Sequence, residues 1–200
     1  MAQADKDKLL IQLAKYAYRC SPEKIFPLAS GGMSNEYLDC KKALSHPDTM
    51  AILGPLIRAR LSAGVIAVGG LTMGADPIAM SASQSSAGTN HPVRWFSVRK
   101  EPKKHGLQKL IEGAVQPGDR VVVVDDVVTS GGSTVKAIEA CHAEKLVVVQ
   151  VIVLVDREQS NGIENIRAKA GCPVEAICTK SEIAAVWQTL NQTPALRATA

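Results

Sequence analysis

The residues best suited to chemistry lie between 121 and 134, where valines are followed by acids and then by small polar residues. Asp125 and Asp126 come directly after the β-branched run 121–124, which predicts a buried strand. The segment that follows consists of Val127, Val128, Thr129, Ser130, Gly131, Gly132, Ser133 and Thr134. A helical pattern begins at Val135, and a strand, a turn and a helix N-terminus together form an anion site, because free backbone N–H groups and the helix dipole converge there.

The two adjacent acids indicate what such an anion would carry. They would repel a bare phosphate, so a neutral or cationic group must lie between them and the phosphate. Ribose hydroxyls, whose hydrogen bonds carboxylates accept, or a bound metal ion would fill that place. The first alternative predicts a ribose-5-phosphate binder, whereas the plainer alternative is a strand and a helix capped by Asp126 or Ser130.

The segment 99–109 holds six Lys, Arg or His residues against one acid. Pro102 and Gly106 oppose regular structure within it, and charge runs of this kind are usually solvated surface loops. The functional alternative is a mobile lid that closes on a polyanion. In that case Lys103 and His105 would assist a departing pyrophosphate by charge or proton transfer.

Arg157 follows another apolar run and is a second candidate for ligand binding. Its guanidinium is suited to holding a carboxylate through two parallel hydrogen bonds. The alternative is an ion pair with Asp156, Glu158 or Glu164.

Alternating strand and helix signals predict the α/β class, with a doubly wound, mainly parallel central sheet flanked by helices. The predicted strands cover 65–69, 93–98, 120–125, 146–155 and 174–178, with short strands at the ends of 26–37. The predicted helices cover 5–20, 47–62, 75–82, 133–144, 160–170 and 181–187, the first ending at Ser21-Pro22 and the last capped by Ser181. Ligands gather at the carboxyl ends of such strands, where the loops 69–74, 125–134 and 155–160 meet.

Bulk composition predicts one soluble, cytoplasmic domain with small additions. The chain has 200 residues, 46% hydrophobic and only 4% aromatic, so aliphatic side chains must fill the core. Five cysteines without paired spacing indicate a reducing compartment. The apolar run 146–155 is too short to span a bilayer, and a net charge of +4 is weak support for nucleic-acid binding. Neither a membrane nor a nucleic acid is therefore an expected partner.

These residues resemble a known family, the type I phosphoribosyltransferases, and within it the orotate phosphoribosyltransferases. The stretch 121–134 looks like the phosphoribosyl-pyrophosphate (PRPP) motif of the whole family, and 99–106 resembles the mobile loop specific to the orotate branch. Other segments similar to that branch are Ser30-Gly31 with Ser34 and Tyr37, then 70–79, and 154–158. The resemblance runs from about residue 9 to residue 187.

The resemblance implies a division of the chain into an N-terminal helix and base-side hood over 1–45, a core over 46–190 and a disordered tail over 191–200. It also implies transfer of the phosphoribosyl group from PRPP to orotate, with Mg²⁺ carried by PRPP rather than held by a direct protein metal site. A homodimer is implied as well, because in this family the loop of one subunit serves the site of its neighbour.

The same resemblance implies roles for individual residues. Asp125 and Asp126 would hold the ribose hydroxyls. The residues implied in PRPP binding are Thr72, Met73, Arg99, Lys100, Lys103, His105, Asp125, Asp126, Val127, Val128, Thr129, Ser130, Gly131, Gly132 and Ser133. Those implied in orotate binding are Tyr37, Thr129 and Arg157. Catalysis is assigned to Lys103, His105, Asp125 and Asp126, with Lys103 foremost.

Two positions depart from the family pattern, and three other functions compete with this one. Ala29 and Met73 stand where many members have ligand-contacting lysines. A transferase for another base, such as a purine, would share 121–134 but would not need Arg157 or the lid. A PRPP-sensing regulator that binds nucleic acid would fit the mild positive charge, although no helix-turn-helix is appended. A structural paralogue without activity is the remaining alternative.

Overall fold

The computed structural model describes residues 2–27, 32–101 and 109–192. The helices are α1 (Ala2–Tyr16), α2 (Cys40–Leu44), α3 (Pro47–Arg58), α4 (Ala75–Ser86), α5 (Gly132–Ala143), α6 (Gly162–Ala170) and α7 (Lys180–Gln192). The strands are β1 (Tyr18–Cys20), β2 (Phe26–Pro27), β3 (Met33–Ser34), β4 (Glu36–Leu38), β5 (Ala67–Leu71), β6 (Arg94–Val98), β7 (Ile111–Gly113), β8 (Arg120–Val128), β9 (Val147–Asp156) and β10 (Val174–Thr179). Two short antiparallel pairs, β1 with β4 and β2 with β3, lie in the N-terminal part.

The central sheet has the strand order β10-β9-β8-β5-β6-β7. Every neighbouring pair is parallel except β6 and β7. The chain moves from β5 outward to β6 and then returns to β8 on the other side of β5. The point where the strand order reverses therefore lies between β5 and β8, and ligands bind in the crevice at the carboxyl ends of such strands.

Alternate valines of β8 face opposite layers of helices. Val122 and Val124 belong to the core that includes residues of α1, α3, α4 and α7. Val121 and Val123 belong to the core that includes residues of α5 and α6. The predicted doubly wound sheet is thus confirmed, and β8 is buried on both faces because each side chain of its valine run meets a helix layer.

Strand β8 extends beyond its predicted end. It pairs with β9 as far as Val128, opposite Asp156, so Asp125 and Asp126 lie inside the strand. The sequence placed the strand end at residue 125 because acids disfavour strands. Within the strand, both carboxylates accept local hydrogen bonds, from the N–H groups of Asp126 and Val127.

The N-terminal segment differs more from its prediction. Helix α1 ends at Tyr16 rather than at Ser21-Pro22, because Tyr18 already pairs with Leu38 in a strand. Helix α2 was not predicted; Asp39 caps it by accepting a hydrogen bond from the Lys41 N–H at 3.2 Å. The short strands expected at the ends of 26–37 are present.

The C-terminal helix is capped by a different residue from the one predicted. Thr179 and Glu182 form a reciprocal pair, in which each side chain accepts a hydrogen bond from the other's backbone N–H. Ser181 instead donates to Glu158. Helix α7 continues to Gln192, so its last two residues belong to the segment predicted as tail, whereas 193–200 lie outside the described residues.

Among the described residues, no helix combines the length and apolar character needed to cross a membrane.

Candidate active site

The segment after β8 turns sharply into α5. Gly131 has a φ of 83°, in the left-handed region, and occupies the N-cap position of α5 without a side-chain cap. Neither Asp126 nor Ser130 is therefore the helix cap that the plainer interpretation required. Ser130, Gly132 and Ser133 are exposed, and the first N–H groups of a helix have no partner within it. The turn consequently presents backbone and hydroxyl donors to solvent at a helix N-terminus.

Helix α6 supports this turn from behind. Asn165 Nδ2 donates to the carbonyl oxygen of Ser130 at 3.0 Å. A Cβ atom at Gly162 would lie 2.4 Å from the Thr129 carbonyl oxygen, and one at Gly131 would lie 2.8 Å from the Gly162 carbonyl oxygen. At Gly132 the nearest atom would be 3.9 Å away, so the front of the turn is open. The side of the turn that faces α6 is packed backbone to backbone, and the opposite side, at Gly132, has room for a ligand.

Asp125 is the more enclosed of the two acids. Its side chain accepts hydrogen bonds from the hydroxyl of Thr134 at 2.7 Å and from the Asp126 N–H at 3.0 Å. Burial raises the pKa of Asp125 to about 6, although the Thr134 hydrogen bond opposes the shift. The group therefore changes charge within a pH range in which enzymes commonly work.

Asp126 meets a cation that the sequence analysis did not select. Its Oδ2 lies 3.2 Å from Lys41 Nζ, which is also 3.5 Å from Asp39 Oδ1. Partial burial acts to lower the pKa of Lys41, but the carboxylates of Asp126 and Asp39 together outweigh it and raise that pKa. On the other side, a Cβ at Gly74 would lie 2.3 Å from Asp126 Oδ1. The acid is thus held between the hood and the loop that follows β5.

That loop carries Thr72 and Met73 at the carboxyl end of β5. Asp76 accepts hydrogen bonds from the hydroxyls of Thr72 at 2.6 Å and Ser97 at 2.8 Å, which fixes the loop against β6. The peptide bond between Thr72 and Met73 is cis, and the Met73 side chain is 67% exposed. Thr72 and Met73, both predicted to bind PRPP, therefore lie at the same sheet edge as Asp125 and Asp126.

The basic segment leaves the sheet at the same edge. The Arg99 N–H donates to the Leu110 carbonyl oxygen at 2.8 Å, and Arg99 Nη1 lies 3.5 Å from Glu112 Oε1. The unpredicted strand β7 returns antiparallel to β6, so both ends of the segment are anchored side by side. Arg99 and Lys100 are at its base, while Lys103 and His105 lie within 102–108, outside the described residues.

Arg157 lies directly beside the turn. Its N–H donates to the Val128 carbonyl oxygen at 3.0 Å, which joins the carboxyl ends of β8 and β9. Its Nε atom is buried and has no hydrogen-bond partner within the described ranges. A buried, unpaired donor of a charged group is costly, and a bound carboxylate would relieve that cost.

The acids considered as structural partners of Arg157 are engaged elsewhere. Asp156 Oδ1 accepts the Glu158 N–H at 2.8 Å. Glu158 Oε2 accepts the Ser181 N–H at 2.8 Å and the Ser181 hydroxyl at 2.5 Å. Glu164 forms its ion pair within α6 at 3.0 Å. None of the three forms an ion pair with Arg157 in the described part of the chain.

The hood places two neighbouring residues of β4 on opposite sides, as strand geometry requires. Tyr37 stacks on Phe26, with ring centroids 5.6 Å apart, and Lys42 Nζ lies 5.6 Å from the Tyr37 ring centre. Glu36 points the other way, and its Oε2 lies 2.6 Å from Lys180 Nζ, at the start of α7. Glu36 rather than Tyr37 therefore reaches the carboxyl ends of β9 and β10, and the orotate contact of Tyr37 stays a prediction.

Sequence reasoning did not select Lys41, Glu36 or Lys180. Lys41 and Asp126 are 85 positions apart, and Glu36 and Lys180 are 144 positions apart. The only local signal was Asp39, a favoured N-cap residue directly before Cys40, which starts a helix bearing Lys41. Pairing over such distances depends on how the hood packs on the core.

The donor set at this edge suits a cation that arrives with its own ligands. Among the described residues, no group of three or more His, Cys, Asp or Glu side chains could hold a metal ion. Mg²⁺ commonly takes one or two carboxylates together with substrate phosphate oxygens. Asp125 and Asp126, beside the anion turn, supply oxygen donors of that kind.

Comparisons with known proteins show which family and fold the chain resembles. A family model described as the phosphoribosyl transferase domain matches residues 60–185. The orotate phosphoribosyltransferase of Aquifex aeolicus is 39% identical over 184 residues, covering 92% of this chain and 100% of its own. A crystal structure of Mycobacterium tuberculosis H37Rv orotate phosphoribosyltransferase with Fe(III) dicitrate matches with a TM-score of 0.76 at 32% identity, over 90% of this chain and 98% of that one. A complex of the same enzyme with PRPP matches with a TM-score of 0.68 at 28% identity, over 90% and 92% of the two chains.

Proposed function

The chain belongs to the phosphoribosyltransferase family, within it to the orotate phosphoribosyltransferases, and we propose that it transfers the phosphoribosyl group of PRPP to orotate. The products are orotidine 5′-monophosphate and pyrophosphate, a step of de novo pyrimidine (UMP) biosynthesis. The observation that carries the proposal is the position of Arg157, whose N–H is bonded to Val128 at 3.0 Å beside the 129–133 turn. A sugar phosphate held by that turn and a carboxylate held by Arg157 would be neighbours.

PRPP binds with its 5-phosphate in the 129–133 turn, where the α5 N-terminus and the hydroxyls supply donors. Asp125 and Asp126 accept hydrogen bonds from the ribose hydroxyls. Thr72 and Met73 lie on the other side of the acids, toward the pyrophosphate. Arg99, Lys100, Lys103 and His105 supply the positive charge that the leaving pyrophosphate requires.

Orotate binds with its carboxylate on Arg157 and beside Thr129. This arrangement selects an acidic base over neutral purines, because a ligand without a carboxylate leaves the buried Nε of Arg157 unpaired. Tyr37 and Phe26 form a stacked pair in the hood, on the side of β4 opposite Glu36. Tyr37 is retained as an orotate contact that requires the hood to close further.

The reaction forms a bond between the orotate ring nitrogen and the anomeric carbon while the bond to pyrophosphate breaks, and the proton of that nitrogen is released with the pyrophosphate. No described side chain near the turn is an obvious covalent nucleophile. Catalysis therefore depends on holding the two substrates in line and on excluding water, which would hydrolyse PRPP. Lys103 stabilises the departing pyrophosphate by charge, and His105 assists it.

Mg²⁺ enters as a complex with PRPP, and when bound it neutralises part of the pyrophosphate charge. Asp125 and Asp126 orient the ribose to which that complex is attached. A homodimer, in which the basic segment of one subunit serves the site of the other, and a cytoplasmic location complete the proposal.

The test is an absorbance assay of orotate consumption with purified protein, PRPP and Mg²⁺. We expect the orotate absorbance to fall only when all three are present, and pyrophosphate to appear in equal amount. Asp126→Asn should abolish most of this activity. Asp119→Asn, which removes a buried carboxylate just before β8 and away from the turn, is the matched control. Consumption of adenine or hypoxanthine but not of orotate would contradict the proposal.

A further inference from the structure

Two cations stand side by side at the carboxyl ends of β9 and β10. Thr179 pairs with Asp156 in the parallel register, so the next residues, Lys180 and Arg157, leave the sheet at the same level. Lys180 begins α7, and its side chain is only 19% exposed. Both cations therefore lie at the carboxyl ends of neighbouring strands, where the proposed function places the base, but the structure uses them differently.

Lys180 is occupied by a carboxylate of the hood. Glu36 Oε2 lies 2.6 Å from Lys180 Nζ, and Glu36 Oε1 accepts a hydrogen bond from the Tyr18 hydroxyl. The Lys180 hydrogen bond, then the Tyr18 hydroxyl and, more weakly, the Arg157 charge lower the pKa of Glu36. Glu36 is thus a fixed anion with both oxygens engaged, and it stands within electrostatic range of Arg157.

Within the described part of the chain, Arg157 forms no ion pair. Its Nε is buried and unpartnered among the described residues, while the acids nearest to it along the chain bond to other groups. A carboxylate beside a partly buried guanidinium with an unpaired Nε would form an ion pair with it unless another cation held that carboxylate. In this chain, Lys180 and Tyr18 hold it.

We propose that Lys180 is a positioning residue for substrate selection, which engages Glu36 so that Arg157 stays free for the carboxylate of the base. This inference rests on the proposed function, because it requires an acidic base at Arg157. Lys180 itself does not contact the substrate in this account. Its role is to keep the Glu36 carboxylate of the hood away from Arg157, so that Arg157 can bind the carboxylate of the substrate.

Removal of the Lys180 charge should turn Glu36 into a competitor of the substrate. The carboxylate would lose its strongest partner and would gain most by turning toward Arg157. Orotate would then have to displace an internal anion before binding, whereas PRPP, which binds at the 129–133 turn, would not. The effect should fall on one substrate only, and a purely structural role of Lys180 would not produce that pattern.

The experiment measures the KM values of both substrates and kcat for wild type, Lys180→Met, Glu36→Gln and the double variant. We expect Lys180→Met to raise the orotate KM roughly tenfold, because a close charge pair must be displaced. The PRPP KM should stay within about twofold of the wild-type value, because substitutions far from a site have nearly independent effects on it. Glu36→Gln alone should not raise the orotate KM, and adding it to Lys180→Met should restore the wild-type value.

Lys6→Met is the matched control. Lys6 forms an ion pair of the same kind with Glu182, in the same first turn of α7, at 2.7 Å. It should lower thermal stability about as much as Lys180→Met without changing either KM. If Lys180→Met does not fold, Glu36→Gln still decides, because a raised orotate KM in that variant would refute the inference.

Other results would also overturn the inference. An unchanged orotate KM in Lys180→Met, equal increases of both KM values, or a double variant that is not restored would each refute it while leaving the proposed function intact. Failure to restore would mean that Lys180 contacts the substrate directly. A wild-type protein that does not consume orotate at all would refute the proposed function, and this inference with it.

Discussion

Lys41 Nζ lies 3.2 Å from Oδ2 of Asp126, so a lysine of the N-terminal segment meets one of the two adjacent acids of β8. Two neighbouring carboxylates beside an anion site would repel the ligand that the site is built to hold. Lys41 offsets one of those charges, and Asp39, at 3.5 Å on its other side, holds it in place. The hood therefore contributes to the electrostatics at the two acids of β8.

Lys41→Met should weaken PRPP binding more than orotate binding. Without the lysine, the charge of Asp126 is uncompensated, and the PRPP KM should rise roughly tenfold, as for loss of one close charge partner. The orotate KM should change by less than about twofold, as for a distant site. Steady-state kinetics with each substrate varied in turn would measure both effects.

Lys42→Met is the control for that change. Lys42 lies in the same helix, but its Nζ is over the Tyr37 ring, not at Asp126. It should leave the PRPP KM unchanged. If Lys41→Met binds PRPP as wild type does, Lys41 has no part in neutralising the site.

The anion turn was predictable because its information is local. The glycines and hydroxyls of 129–133 impose a turn wherever they stand, and the valines before them impose a buried strand. The family resemblance also assigned functions to the base-side segment 154–158 and to the lid segment 99–106. The family and the sheet class followed from residues that are close together in the chain.

Pairings between distant residues were not predictable in this way. Lys180 looks like any helix-start lysine, and only packing of β4 against the ends of β9 and β10 gives it Glu36 as a partner. Strand β7 was missed because three residues, Ile111–Gly113, carry too little pattern. Ser181 was predicted as the helix cap because serine suits that position, but threonine suits it equally well, and only the bonds to Glu182 identify Thr179 as the cap.

Gly131→Ala should destabilise the fold at the turn. Gly131 has a φ of 83°, and a Cβ there would lie 2.8 Å from the Gly162 carbonyl oxygen. Strain and contact together should lower the free energy of unfolding by about 1–3 kcal/mol. Denaturant unfolding of the purified variants would measure this change.

Gly132→Ala provides the comparison for Gly131→Ala. Its φ is not in the left-handed region, and its Cβ would meet nothing nearer than 3.9 Å. Its stability should equal or slightly exceed that of wild type, while its PRPP affinity should fall because the new methyl group faces the open side of the turn. Equal destabilisation by both alanines would show that the support from α6 is unimportant.

Arg157→Ala should impair orotate binding far more than PRPP binding. The guanidinium has a buried Nε without a partner in the described ranges, so the protein gains little from it in the absence of ligand. Loss of two charged hydrogen bonds should weaken orotate binding about a hundredfold. Calorimetric titration of each ligand separately would measure the two affinities.

The control for that change is Arg167→Ala. Arg167 is an exposed arginine that pairs with Glu164 within α6, at 3.0 Å. Both affinities should stay at the wild-type level. Parallel losses of orotate and PRPP affinity in Arg157→Ala would indicate that the residue supports the turn and does not read the base.

The ionisation of Asp125 should make the stability of the fold depend on pH. Burial raises the pKa of this carboxyl from its usual 3.8 to about 6, so the folded chain binds a proton that the unfolded chain releases between those two values. The free energy of unfolding contributed by this group is therefore highest below pH 3.8 and falls as the pH rises to about 6. Asp125→Asn removes the ionisation, so its stability relative to wild type should increase over that interval and then level off. Denaturant unfolding of both proteins at a series of pH values would measure the difference, and a difference that stays constant with pH would show that Asp125 is ionised as readily in the folded chain as in the unfolded one.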